Sequence, residues 1–321
     1  LISQLSLTFD PALLAIATER ARVYIHHAKA ATTVRAYQSD WRHFESWCDA
    51  RRLTALPSQP KTVALYLAEH GGVLKPVTLQ RRLAAIAKAH QAAGHESPTS
   101  MRHAVVSEVW KGLKRTHGAA QAVKAPILTC ELRAMLHHLP RGLLGVRDRA
   151  LLLLGFAGAF RRSELVALCL EDCEFTGDEL VVTLRRSKTD QEGEGRKLGV
   201  PYGSNPETCP VRSLQTYLEA SGIATGPLFR PVNRHGRLGP RGLSPYSVAL
   251  VVKRYAGAAG FDGSRYAGHS LRAGLATSAA AAGVSERAIM NQTGHRSAAM
   301  VRRYIRDGSL FRENAAAGVG L

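Results

Sequence analysis

Near the C-terminus the stretch AAMVRRYIR, residues 298–306, sets Tyr304 among Arg302, Arg303 and Arg306. A tyrosine on a helix ordinarily packs by its ring and tethers its hydroxyl. The residues upstream raise a second use, as a nucleophile attacking a phosphodiester. A phenol with its ordinary pKa near 10 is protonated at neutral pH, so it needs a base or strong electrostatic help. As a phosphorane-like transition state forms, charge on the non-bridging oxygens must be met by fixed donors, and guanidinium forks suit them best. The leaving alkoxide also needs a proton. The required set is one tyrosine, at least two arginines, a base and an acid, and it calls for no metal or other cofactor.

Upstream, each requirement finds residues. TGHRS presents His295 just ahead of a helix expected to begin around Ser297. AGHSLRAG supplies His269 and Arg272, three apart and so on one face if helical. AFRRSEL supplies Arg161 with Glu164 three residues on, again on one helical face, and Arg162 is a second basic candidate. RRSKTDQ supplies Lys188 at the start of a hairpin turn, with Lys197 on the opposite side of the same turn. Each has a bland alternative: Arg161 simply paired with Glu164, His295 as a surface or capping histidine. Chance accounts poorly for the whole ordered set.

The elements that must position these residues differ between the two parts of the chain. From about residue 11 to 117 the pattern is helical, in segments punctuated by Pro and Gly. TTVRAYQSDWRHFESWCDARR puts Val34, Tyr37, Trp41, Phe44 and Trp47 on one apolar stripe, with Arg35, Asp40 and Arg42 off it. The helix opening at Pro76, with Thr78 as its expected cap, turns Leu79, Leu83, Ile86 and Ala87 inward. Lys75, Gln80, Arg81, Arg82 and Lys88 lie elsewhere on it, suited, like Arg35 and Arg42, to phosphates or groove edges as readily as to plain solvation. Residues 118–128 are small and short of charge and read as a linker. From 129 to 321 helices predominate, GVRDRALLLLGFAGAF among them, while DELVVTLRR leads into SKTDQEGEGRKLGVP as a hairpin.

With these motifs on the page the chain resembles the tyrosine recombinases, the phage-integrase and Cre-like family. The shared pattern is R-x-S-E-L, a lysine in a β-hairpin, H-x-x-R, a later G-H, and a tyrosine about nine residues beyond, and TVRAYQSDWRHFESWC resembles the family's helical core-binding domain. The resemblance implies an all-α N-terminal domain over 11–117 and a mainly α catalytic domain over 129–321 with a small antiparallel β-sheet. It implies that Tyr304 is the nucleophile, that Arg161 and Arg272 clamp the scissile phosphate, and that Lys188 is the general acid. His269 would assist deprotonation of Tyr304, His295 would bond the phosphate, and Glu164 would support Arg161. The implied partner is double-stranded DNA, bound by four protomers on two sites. The tail 308–321 would dock in a neighbour through Leu310, Phe311 and Val319, a disordered end being the alternative. Rival readings are a type IB topoisomerase, a telomere resolvase and a non-catalytic DNA-binding regulator.

Bulk properties agree with a polyanion partner. Lys and Arg total 43 against 25 Asp and Glu, a formal charge of +18, while 45% hydrophobic residues mark a folded chain and not a basic tail. The longest apolar run, ALLLLGFAGAF at 150–160, falls short of the roughly 18 to 20 residues of a membrane span. No signal peptide is evident, so a cytosolic protein is expected. The five cysteines lack paired C-x-x-C spacing, and Cys169 and Cys173, expected one helical turn apart, have no partner ligands nearby.

Overall fold

The computed structural model describes residues 11–27, 30–118, 124–185, 195–295 and 297–309. It divides into two compact units, Leu1–Gln121 and Ala122–Leu321.

The first unit is helical: α1 (Pro11–His27), α2 (Ala31–Asp49), α3 (Pro60–His70), α4 (Pro76–Ala92) and α5 (Ala104–His117). α2 packs on α4 and α3 on α5. The aromatic stripe of α2 sinks progressively into the core, from half-buried Val34, Tyr37 and Trp41 to fully buried Phe44 and Trp47, against Tyr66, Leu67, Leu79, Leu83 and Ile86. α4 starts with Lys75 as its cap residue and Pro76 at the first helical position, where a missing N–H costs nothing; Thr78 lies inside the first turn and does not cap.

One polar cluster departs from the sequence expectation. Asp40 is buried at 3% exposure and accepts from Arg81 Nε at 2.7 Å and Nη2 at 3.1 Å. A buried carboxylate needs such a partner. Arg82 is turned inward as well: Nη1 donates to the Tyr66 hydroxyl at 2.7 Å and lies 3.0 Å from His43 Nδ1. Arg82 thus directs Nη1 to Tyr66 and His43 at the edge of the helical core, and Arg81 spends one edge of its fork on Asp40. Arg35, Arg42, Lys75, Gln80 and Lys88 are exposed.

The second unit contains α6 (Thr129–Leu136), α7 (Leu143–Ala157), α8 (Arg162–Ala167), β1 (Cys173–Phe175), β2 (Glu179–Leu184), β3 (Arg196–Pro201), α9 (Pro210–Ser221), α10 (Pro245–Ala258), α11 (His269–Ala281), α12 (Glu286–Thr293) and α13 (Ala298–Ser309). α7 is apolar around its circumference and is the central helix, buried from Ala150 to Gly155 against α9 and α11. It ends at Ala157, not at Phe160: Ala159 takes φ +48°, which breaks the helix and drives Phe160 into the core.

The sheet has the antiparallel order β1-β2-β3, with Leu180 opposite Val200 and Val182 opposite Leu198, all four buried. Its third strand, β1, is too short to show an alternation in sequence. Cys173 opens that strand and Cys169 precedes it outside any α-helix, so the expected one-turn spacing of the two thiols does not exist. At the start of the unit, Ala125 and Ile127 donate backbone bonds to the carbonyls of Arg265 and Ser270. The final residues of the linker segment are thus fastened onto this unit. No helix of the described residues is long and apolar enough to cross a membrane.

Candidate active site

Four separate segments of the second unit converge. In the first, Arg161 has extended backbone angles and caps α8, so it stands before the helix and not on its face. Glu164, at the third helical position and 5% exposed, accepts the Arg161 backbone N–H at 2.8 Å and its Nη1 at 2.5 Å. One carboxylate thereby satisfies an orphan helix donor and fixes the guanidinium. Arg162 is exposed.

The second segment is the start of α11. His269 is its first residue and Arg272 lies one turn on, 1% exposed. Arg272 donates to the carbonyl of Ala159 at 2.8 Å and to His295 Nε2 at 3.1 Å. The left-handed turn after α7 therefore aims a carbonyl at the buried guanidinium. Burial, and then the nearby Arg161, lower the Arg272 pKa to about 10, so the group remains charged at neutral pH.

The third segment is the turn leaving α12. Gly294 takes φ +65° and ends the helix. His295 follows, its Nδ1 2.7 Å from Thr293 Oγ1, and Thr293 donates its hydroxyl to the Ile289 carbonyl at 2.6 Å. Because a guanidinium can only donate, Nε2 of His295 accepts from Arg272 and the proton sits on Nδ1.

The fourth segment is α13. Val301 and Tyr304, one turn apart, bury their side chains against Ala273, Ala276 and Ile289 of α11 and α12. The Tyr304 hydroxyl lies 2.8 Å from His269 Nε2, and its ring centroid lies 5.9 Å from that of His295. Arg302 and Arg303 are exposed, and Arg302 Nε donates to Glu286 at 3.1 Å. Arg302 and Arg303 thus stand at the surface of α13. Arg272, from α11, is a positive charge close to the phenol.

Residues 127–309 match the model of the phage integrase family. Over 299 residues the chain is 42% identical to the integrase/recombinase XerD homolog of Selenomonas ruminantium, covering 92% of this chain and 87% of the relative. The chain belongs to the phage integrase family. It is a tyrosine recombinase, 25% identical over 289 residues to the recombinase Cre of Escherichia phage P1, across 83% of this chain and 81% of that one. Its fold is shared with a lambda integrase (75–356) dimer bound to a COC' core site, at TM-score 0.60 and 16% identity over 93% of this chain and 96% of that one. A XerH recombinase in a post-cleavage complex with a palindromic difH substrate gives TM-score 0.60 and 17% identity over 81% and 72%.

The recombinase therefore brings Arg161, Glu164, His269, Arg272, His295 and Tyr304 into one centre. Lys188 lies outside the described residues, as do Leu310, Phe311 and Val319 of the tail. Lys197 is exposed on β3. Both histidines are held neutral: burial, reinforced by Arg272 and Arg161, lowers the His269 pKa and brings that of His295 down to about 4. Arg196 belongs to the same neighbourhood, close enough to Arg161 and His295 to act on both, and lies in none of the sequence motifs. Strand alternation carried the signal, because it puts Arg196 on the face shared by Leu198 and Val200.

Proposed function

We propose that this recombinase cuts DNA by transesterification at Tyr304 and rejoins the cut end to a partner strand at a second site. Tyr304 Oη attacks the scissile phosphorus and passes its proton to His269 Nε2. The P–O5′ bond breaks, leaving a 3′-phosphotyrosine and a 5′-oxygen that takes a proton from Lys188. Arg161 and Arg272 meet the charge on the non-bridging oxygens, with His295 hydrogen-bonding the phosphate beside them. Glu164 keeps Arg161 in register. The covalent link conserves the phosphodiester bond energy, so rejoining needs no nucleotide. Four protomers on two DNA sites, exchanging strands through a Holliday intermediate, complete the reading.

The observation that carries it is the 2.8 Å contact between His269 Nε2 and the Tyr304 hydroxyl. A neutral imidazole next to a buried phenol, with guanidinium groups arriving from distant segments, is a nucleophile and base beside an anion site. The relatives' names as recombinases and the DNA in the structural neighbours point the same way.

The test is to sequence the DNA trapped covalently on the protein in its native cell, then to place that sequence on supercoiled plasmids. Exchanged products from plasmids with two copies, and no relaxation of plasmids lacking it, are expected. Relaxation of plasmids without the sequence would contradict strand exchange in favour of a topoisomerase.

A further inference from the structure

Arg196 has no role in the chemistry above, yet its environment is built. It opens β3 with its side chain turned inward and half-buried, whereas its neighbour Lys197 is exposed. Nη1 donates to the carbonyl of Asn291 at 2.8 Å, and Nη2 lies 3.5 Å from the carbonyl of Gln292. Both carbonyls belong to the last turn of α12, where they have no intrahelical donor and where the helix dipole favours a cation.

The guanidinium also lies against Gly294, where a Cβ would come within 2.7 Å of Arg196 Cζ and Nη1. That glycine turns the chain from α12 into His295, and its φ of +65° already disfavours a side chain. A second tie closes the arrangement: Gln292 Nε2 donates to the Ala157 carbonyl at 2.8 Å and lies 3.4 Å from that of Gly199. The end of α12 is thus fastened to β3 from both directions, and to the end of α7.

We propose that Arg196 is a positioning residue for the phosphate-binding centre, pinning the α12 turn so that His295 stands against Arg272. The inference rests on the transesterification reading and deepens it. Without Arg196 two helix-end carbonyls lose their donor, the space over Gly294 opens, and the turn carrying His295 is free to swing. Arg196 also adds charge to the centre: Arg161 and Arg196 repel each other and both lower the pKa of His295. A lysine there would keep the charge but not the planar fork that reaches two carbonyls.

The experiment measures single-turnover adduct formation on a nicked suicide substrate carrying the cell-trapped sequence, with protein saturating. Wild type, R196A, R196K, H295A and R196A/H295A are compared, with DNA affinity and melting temperature recorded for each. R196A should slow the step roughly tenfold to a hundredfold, the cost of an ångström-scale misplacement, with R196K in between. DNA affinity should stay within about twofold, and the double variant should be no more than about twofold slower than H295A alone. A wild-type rate for R196A, or losses that multiply in the double variant, would overturn the proposal. Should R196A fail to melt cooperatively, R196K and R196K/H295A carry the same comparison. An inactive wild type would instead remove the transesterification reading and this inference with it. An active wild type with an unaffected Arg196 variant removes this inference alone.

Discussion

Arg272 illustrates how much of the site depends on a single side chain. A guanidinium 1% exposed, hydrogen-bonded to a carbonyl and an imidazole, is held in a costly environment that a phosphate would relieve. Arg272→Ala should therefore lower single-turnover cleavage by about a hundredfold or more, the usual loss of a transition-state donor, as read by adduct formation at saturating protein. His295 gives a prediction for pH. The folded chain keeps its imidazole neutral down to about 4, while the unfolded chain protonates it near the ordinary 6.5. In that window the unfolded state binds more protons, so stability rises with pH and is lost as pH falls from 6.5 towards 4. Melting temperature measured across this range should fall less steeply for His295→Gln than for the wild type.

At the scale of elements, the site is a problem of helix ends. Arg161 precedes α8, with Glu164 in that helix's first turn, His269 begins α11 with Arg272 one turn on, and His295 follows α12, whereas Tyr304 lies in the middle of α13. Gly274 of α11 shows how tightly these pieces fit: a Cβ there would stand 1.9 Å from the Ile127 carbonyl oxygen. Gly274→Ala should destabilise the fold by about 1 to 3 kcal/mol, the range for overpacking, and lower the melting temperature without altering the site residues themselves. Helix ends also explain what was legible in sequence. The H-x-x-R spacing and the glycine before His295 survive translation into structure because both are local. The reading of Arg161 and Glu164 as one helical face did not, because a capping pair and a helical pair share the same three-residue spacing. The stop of α7 at Ala157 was hidden by continuous apolar residues, since Phe160 is buried whether or not it is helical. Arg82 looked like a surface cation because its partners, Tyr66 and His43, come from other helices. Arg196 needed the strand register, which no motif records.

For the whole molecule, the charge of +18 dictates behaviour towards a polyanion. If six to ten phosphates are neutralised, affinity should drop by roughly 10³ to 10⁵ between 50 and 200 mM salt, measured as the slope of log K against log salt. All described members of the centre lie in the unit Ala122–Leu321. That unit expressed alone should retain the capacity to form an adduct on a suicide substrate while binding DNA more weakly than the full chain. The most direct test of the account asks which residue of the intact protein becomes joined to DNA. Peptide mapping of the trapped complex should locate the phosphate on Tyr304, and Tyr304→Phe should abolish the complex while leaving DNA binding nearly unchanged. A covalent complex that persists in Tyr304→Phe, or a phosphate found on another residue, would contradict it.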